Sequence, residues 1–480
     1  MEGHVPTLHH PSLDATGARR IAALIVALAL LRGALGALLN APGIGPDERG
    51  HLQYLQTFTA NGWSGVQGVE ARQPVIGYLP SLLAWNLAGG ATDPQSQVFA
   101  PVVLTGPALA ARLVSVAWSG LTAWATWHLA RHIWPTTPWL ALLSTALASL
   151  APGYLYVMSS VSNEPAATAL ATSAILAAAR AIGAIPEARQ TRLVIWATVT
   201  AIAFATKTTN APVALATAIA IAWSFRAEWR PWLGNRSVRF AAWASGVAAV
   251  AGYGALLAID PTTSYAATAA RTWPEAVVLG TIAFVRDGAA TEALRTAWHA
   301  WDYDVVWPHD LDTTITTALA LGMGLAVIGA IVSTLPMAGR SPNVPPMRHA
   351  VIWFPVAAQV AFAVVRYGIG SVAGAMMGGA AQAKTFFPAI APASLLGAAG
   401  LVTIVALMWH TVARTDLPLS PAAAEERVGA SIPSHSYGQE DPSLVRVVTL
   451  GAITCLVTTD LVGLAASVWR HARWLVPGTA

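Results

Sequence analysis

The chain has 480 residues, of which 55% are hydrophobic and 10% charged, with a mean hydropathy of +0.54. A soluble globular chain carries roughly 25% charged residues, so this composition excludes one and specifies a polytopic helical membrane protein, since the apolar runs are too long and continuous for the alternating strands of a barrel. A net charge of +4 gives no basic face for nucleic acid, and the single cysteine, Cys455, excludes a disulfide framework or a cysteine-built metal site.

The first 20 residues are polar and end in two arginines. The apolar run that follows has no small-residue exit and reads as an uncleaved first span. Hydropathy predicts eleven spans, near 21–39, 106–130, 139–158, 164–184, 192–207, 209–225, 239–258, 313–336, 349–367, 385–409 and 446–469. The stretch 74–90 is short and punctuated by Pro and Gly, and reads as a juxtamembrane or re-entrant helix. With the N-terminus in the cytoplasm, the inner loops carry Arg131, Arg189, Arg192, Arg226, Arg230, Arg236, Arg340, Arg348 and Arg414, as the positive-inside rule requires. The outer loops, about 40–105 and 259–312, are long and acidic. This gives an all-α protein with a cytoplasmic segment 1–20, a transmembrane domain 21–409, a polar linker 410–445, and a last helix with its tail at 446–480. Arg470 and Arg473 fall on the outer side of this count, against the rule.

Chemistry concentrates in six stretches. After the first span, "GPDERGHLQYLQTF" sets Asp47, Glu48 and His51 at the start of a short helix. Pro46 suits its first turn, and Leu52, Leu55 and Phe58 make an apolar stripe for a membrane surface. Asp47 and His51 share a face by their i, i+4 spacing, and the helix N-terminus keeps Asp47 ionised, as a base requires. Taken alone, these residues fit a capped amphipathic helix equally well. "VEARQPVIGYLP" places Glu70, Arg72, Gln73 and Tyr78 in the same outer loop, where a plain polar turn is the alternative. "SNEPAATALA" places Asn163 and Glu164 at a helix start, which capping by Ser162 or Asn163 also explains. Of 27 basic residues only Lys207 and Lys384 are lysines. Both fall at outer span ends, where a lysine can snorkel, or can serve as a compact point charge for a phosphate. In "WHAWDYDVVWPHDLD", Trp298, Trp301, Tyr303 and Trp307 suit an interfacial belt, or a surface on which a sugar stacks with Asp302 as hydroxyl acceptor.

Together these stretches resemble the GT-C class of membrane glycosyltransferases that use a lipid-phosphate sugar donor, in particular the bacterial branch near the protein mannosyltransferase and aminoarabinose transferase families. The matching elements run in order from about residue 20 to 409. They are Asp47-Glu48, then His51 and Tyr54, then Glu70 with Gln73-Pro74 and Tyr78, then Asn163-Glu164, then Thr206-Lys207-Thr208-Thr209, and finally Lys384 with Phe387-Pro388 and Pro392. Val75 stands where the family's second proline falls, and Lys384 where an arginine is commoner.

The resemblance implies a hexosyl or pentosyl transferase in the cell inner or plasma membrane, with its active site on the extracytoplasmic side. The donor is a sugar on polyprenyl phosphate or diphosphate, and the acceptor an extracytoplasmic glycan, lipid or protein. Asp47 would be the general base, and Glu48 a second catalytic carboxylate that orients the sugar or acceptor or holds a metal. Lys207, Lys384, Arg72 and Arg112 would bind the donor phosphate, and His51, Tyr54, Glu70, Gln73, Tyr78, Asn163, Glu164, Trp301 and Asp302 the sugar or acceptor. A divalent ion at Asp47 and Glu48 stays open, because the pair is Asp-Glu and not Asp-x-Asp. A secondary transporter and a non-catalytic lipid-binding protein are the alternatives.

Overall fold

The computed structural model describes residues 13–40, 43, 45, 47–62, 70, 73–90, 104–226, 282, 324, 327–328, 346–372, 383–415 and 442–475. Every regular element among them is helical. Helix α1, Ala15–Leu39, begins six residues before the apolar run because Asp14 caps it, its carboxylate accepting from the Gly17 N–H at 2.7 Å. α2 spans Glu48–Asn61. A 3₁₀ turn, Val75–Tyr78, leads into the short α3, Leu79–Leu87. The 74–90 stretch is thus a short helix, well below the ~20 residues that cross a bilayer.

α4, Gly106–Ile133, and α7, Glu164–Ile182, form the centre, with α4 packed against α1, α5, α3 and α7. α7 is rich in alanine, and small side chains let neighbouring helix backbones approach closely. Of its apolar stretch 78% is buried, against 39% in α1. Between α4 and α7 lie α5, Pro138–Ser149, and α6, Pro152–Met158. The single span expected over 139–158 is instead this pair, bent by 56°. Pro152 supplies the reason: it lacks an N–H and its ring clashes with the carbonyl four residues back, so a straight helix cannot continue.

α8, Pro186–Thr206, also ends at a break. Lys207 is extended (φ −159°, ψ 132°), a 3₁₀ turn covers Thr208–Asn210, and α9 runs Ala211–Ser224 with a proline in its first turn. Further along the described residues come α10, Pro346–Val372, a 3₁₀ segment Ala383–Ala389, α11, Ile390–Thr415, and α12, Pro442–Leu475.

Among the described residues four helices are long and apolar enough to cross a membrane, five if the bent pair is one span. That is fewer than the eleven expected. α9, with 14 residues, reaches about 21 Å at 1.5 Å per residue, short of the ~30 Å hydrocarbon core. The expected span 239–258, most of 313–336, and loop 259–312 apart from Ile282 lie outside the described residues.

The main core joins α1, α4, α5, α6, α7, α9, α10, α11 and α12. A second, smaller cluster matters more for function. Tyr54 and Leu55 of α2, Val75 and Tyr78 of the first 3₁₀ turn, Trp85 of α3 and Ala111 of α4 pack together and clamp the loop elements onto one end of the bundle.

Candidate active site

Asp47 caps α2 with a left-handed backbone (φ 60°, ψ 9°), the one non-glycine residue with positive φ among those described. Aspartate tolerates this region better than most residues because its short polar side chain is accommodated there. Its carboxylate makes no cap hydrogen bond to the first turn, and the residue is exposed. Its place outside the helix removes the i, i+4 relation expected with His51. α2 starts at Glu48 and buries His51 on its protein side.

Glu48 is fully buried and meets Arg112, itself 1% exposed. Arg112 Nε donates to Glu48 Oε1 and Nη2 to Oε2, both at 2.7 Å. The same two oxygens accept backbone N–H groups from Val161 at 2.9 Å and Gly43 at 2.8 Å. Arg112 Nη1 donates to the carbonyls of Ala37 and Asn40 at the end of α1, each at 2.8 Å. One ion pair therefore ties together α1, α2, α4 and the segment after α6. This geometry replaces the expected ligand roles of both residues. Glu48 already holds four donors, so Asp47 and Glu48 do not fit a divalent ion, and the guanidinium expected on a phosphate is occupied by a carboxylate. A lone arginine in an apolar helix needs a carboxylate, and that signal points in the sequence to a partner such as Glu48.

One turn on, His51 Nδ1 lies 2.6 Å from the Tyr78 hydroxyl and 3.8 Å from Glu70 Oε2. Tyr54 stacks on Tyr78 with ring centroids 4.1 Å apart, and its hydroxyl donates to the Gln73 carbonyl at 3.5 Å. The buried face of α2 thus holds Glu48, His51, Tyr54, Leu55, Gln56 and Thr57, while Leu52 and Phe58 are only half-buried. α2 packs into protein through a mixed polar face, and the apolar stripe expected on the membrane surface does not set its orientation.

The network continues into α7. Gln73 Oε1 accepts from Asn163 Nδ2 at 3.1 Å, and Asn163 Oδ1 accepts from Lys207 Nζ at 2.9 Å. The ammonium also donates to Glu164 Oε1 at 2.6 Å. Lys207 is buried, so snorkelling does not describe it. Asn163 occupies the cap position of α7 but spends its amide on Gln73 and Lys207, and Ser162 Oγ takes over, accepting from the Glu164 N–H at 3.0 Å. Gly77 permits this closure. A Cβ there would stand 2.9 Å from the Thr206 carbonyl oxygen and 3.1 Å from Asn163 Cβ, and sequence spacing gave no sign of that contact.

Burial pushes the Tyr78 phenol well above its usual range, and Glu70, Tyr54, Glu164 and Asp47 reinforce the shift. Those three carboxylates therefore share the electrostatic neighbourhood of one hydroxyl. Burial raises Tyr54 to about 12. Both phenols are neutral hydrogen-bond donors at physiological pH.

The 383–389 segment, which includes Lys384, packs on α7 and on the 208–210 turn. Phe387 meets Tyr154 edge-on at 5.4 Å, which anchors the Phe-Pro element beside the network. Arg72, Trp301 and Asp302 lie outside the described residues.

Fold and site together define a multi-pass α-helical membrane protein with a buried polar centre at one end of its bundle. No family model and no curated protein matches the chain. Among solved structures it is similar to ArnT from Cupriavidus metallidurans bound to undecaprenyl phosphate, with 14% identity and a TM-score of 0.37 over 82% of this chain and 78% of that one. It is also similar to the oligosaccharyltransferase of Archaeoglobus fulgidus in its apo form, with 12% identity and a TM-score of 0.43 over 93% of this chain and 56% of that one.

Proposed function

We propose that this protein is a membrane glycosyltransferase that moves a sugar from a polyprenyl-phosphate carrier to an extracytoplasmic acceptor, with Asp47 as general base. The observation that carries the reading is the convergence of motifs far apart in the chain. His51, Glu70 and Tyr78 form one polar cluster and Tyr54, Gln73, Asn163, Glu164 and Lys207 a second, the two joined by the Tyr54–Tyr78 ring stack and by the Gln73 N–H donating to the Glu70 carbonyl, beside an exposed aspartate whose side chain does not cap its helix.

Each part has a physical role in this reaction. The acceptor hydroxyl loses its proton to the Asp47 carboxylate as its oxygen attacks the anomeric carbon and the bond to the carrier phosphate breaks. A phosphate leaving group is a weak base and needs cations to hold its growing charge, not a general acid. Arg72 and Lys384 are the candidates, since Arg112 and Lys207 each face a carboxylate. His51 and Glu70 orient the acceptor or sugar, with the neutral Tyr78 hydroxyl fixing the His51 ring.

The test is transfer of radiolabelled sugar from a polyprenyl-phosphate donor in membranes containing wild type or Asp47→Asn. Asparagine also tolerates the left-handed backbone, so the change isolates the carboxylate. General base catalysis is worth about 10²–10⁴-fold, and a loss of that size is expected. Full transfer by Asp47→Asn overturns the assignment, and substrate uptake without transfer by wild type favours a transporter.

A further inference from the structure

We infer that the Lys207–Glu164 pair reads a hydroxyl of the neutral sugar rather than clamping the donor phosphate. This rests on the glycosyltransferase reading above and deepens it by assigning the chemistry of one subsite.

Lys207 stands at the break between α8 and α9 and is 7% exposed. An ammonium has three N–H donors. One goes to Asn163 Oδ1 at 2.9 Å and one to Glu164 Oε1 at 2.6 Å. Asn163 is itself fixed through its amide nitrogen by Gln73 at 3.1 Å, so the lysine is held from both sides. The third N–H has no protein acceptor among the described residues. On the other partner, Glu164 is 5% exposed and its second oxygen, Oε2, accepts no hydrogen bond from the described residues. A buried carboxylate oxygen left unmatched is costly until something donates to it.

The pair thus has one donor and one acceptor to spare, and no net charge. A phosphate could take the N–H, but it would meet the Glu164 carboxylate beside it and could not donate to Oε2. A hydroxyl satisfies both needs at once, giving its proton to Oε2 and its lone pair to Nζ. Sites built to hydrogen-bond a hydroxyl reject analogues that lack it, because their buried polar groups are then left unpaired.

The experiment uses the full chain in lipid nanodiscs and three probes with one tail: a C15 prenyl phosphate, the same lipid carrying a hexose or pentose, and single-deoxy versions of that sugar. For wild type, at least one deoxy donor is expected to bind about tenfold to hundredfold more weakly than its parent, as for loss of a hydrogen bond to a charged group. In Glu164→Gln that discrimination shrinks to within about twofold. In Lys207→Met the affinity for bare prenyl phosphate is expected to stay within about twofold of wild type. Thermal unfolding identifies any variant that is not folded, and the deoxy series on wild type then decides without it. A wild type indifferent to every deoxy change overturns the inference. So does a large loss of bare prenyl phosphate binding in folded Lys207→Met. In both cases continued sugar transfer by wild type leaves the glycosyltransferase reading standing. A wild type that binds none of the probes and transfers no sugar overturns both.

Discussion

Arg112→Met is the perturbation that most cleanly separates scaffold from chemistry at this site. It removes the guanidinium that donates to both oxygens of Glu48 and to the Ala37 and Asn40 carbonyls. Glu48 is fully buried, so among the described residues its carboxylate would keep the Val161 and Gly43 amides as donors. Breaking a buried pair from one side costs about 3–5 kcal/mol, because the remaining charge is uncompensated. Against a total stability of roughly 5–15 kcal/mol, that is a large fraction. The double variant Glu48→Gln/Arg112→Met removes both charges and is expected to recover part of the loss, since replacing both partners costs less than orphaning one. Unfolding in mixed micelles with increasing SDS, followed by tryptophan fluorescence, measures the cycle. If Arg112→Met unfolds like wild type yet loses prenyl phosphate binding, the pair is not the strut described here and Arg112 belongs on the substrate.

At Gly77, an alanine would press on the Thr206 carbonyl oxygen and Asn163 Cβ. A loss of about 1–3 kcal/mol by the same unfolding assay is expected for this overpacking, with sugar transfer falling as the 75–78 turn is displaced from α7 and α8. At Asp47, the alanine variant should be about 1–2 kcal/mol less stable than the glycine variant, because alanine carries the Cβ that penalises a left-handed backbone and glycine does not; equal melting of the two variants would contradict the φ of 60°. Ser162→Ala should cost about 0.5–2 kcal/mol by removing the acceptor for the first-turn amide of α7. The tyrosines predict an alkaline limit. A phenol whose folded pKa is raised stabilises the fold fully below the unfolded value near 10, and that contribution is lost as pH climbs through the folded value, about 12 for Tyr54. Phenolate absorbance of Tyr54 and Tyr78 should therefore lag until the protein unfolds, and Tyr54→Phe and Tyr78→Phe should each remove one late step; normal titration of both near pH 10 would refute their burial.

Sequence by itself determined the class. Long apolar runs with few charges permit only membrane-spanning helices, because in hydrocarbon each backbone amide must be satisfied within its own segment. Sequence also singled out the polar residues that the described structure brings together at one end of the bundle, since charge in such a chain is costly and is retained where it acts or pairs. It did not decide which of these residues pair with each other. Glu48 looked like a second catalytic carboxylate and Arg112 like a phosphate ligand, and only the approach of α1, α2 and α4 at one end of the bundle joined them in a closed ion pair. Lys207 looked like one more cation for phosphate, until the break between α8 and α9 set it against Asn163 and Glu164. The breaks themselves lay half in view. Pro152 marked the bend between α5 and α6, but the adjoining apolar runs masked it as one span. Hydropathy records how unfavourable water is for a residue and carries no information about its neighbour. Partner choice depends on where distant helix ends meet, within the ~3 Å reach of a hydrogen bond, and that distance is fixed only by tertiary packing.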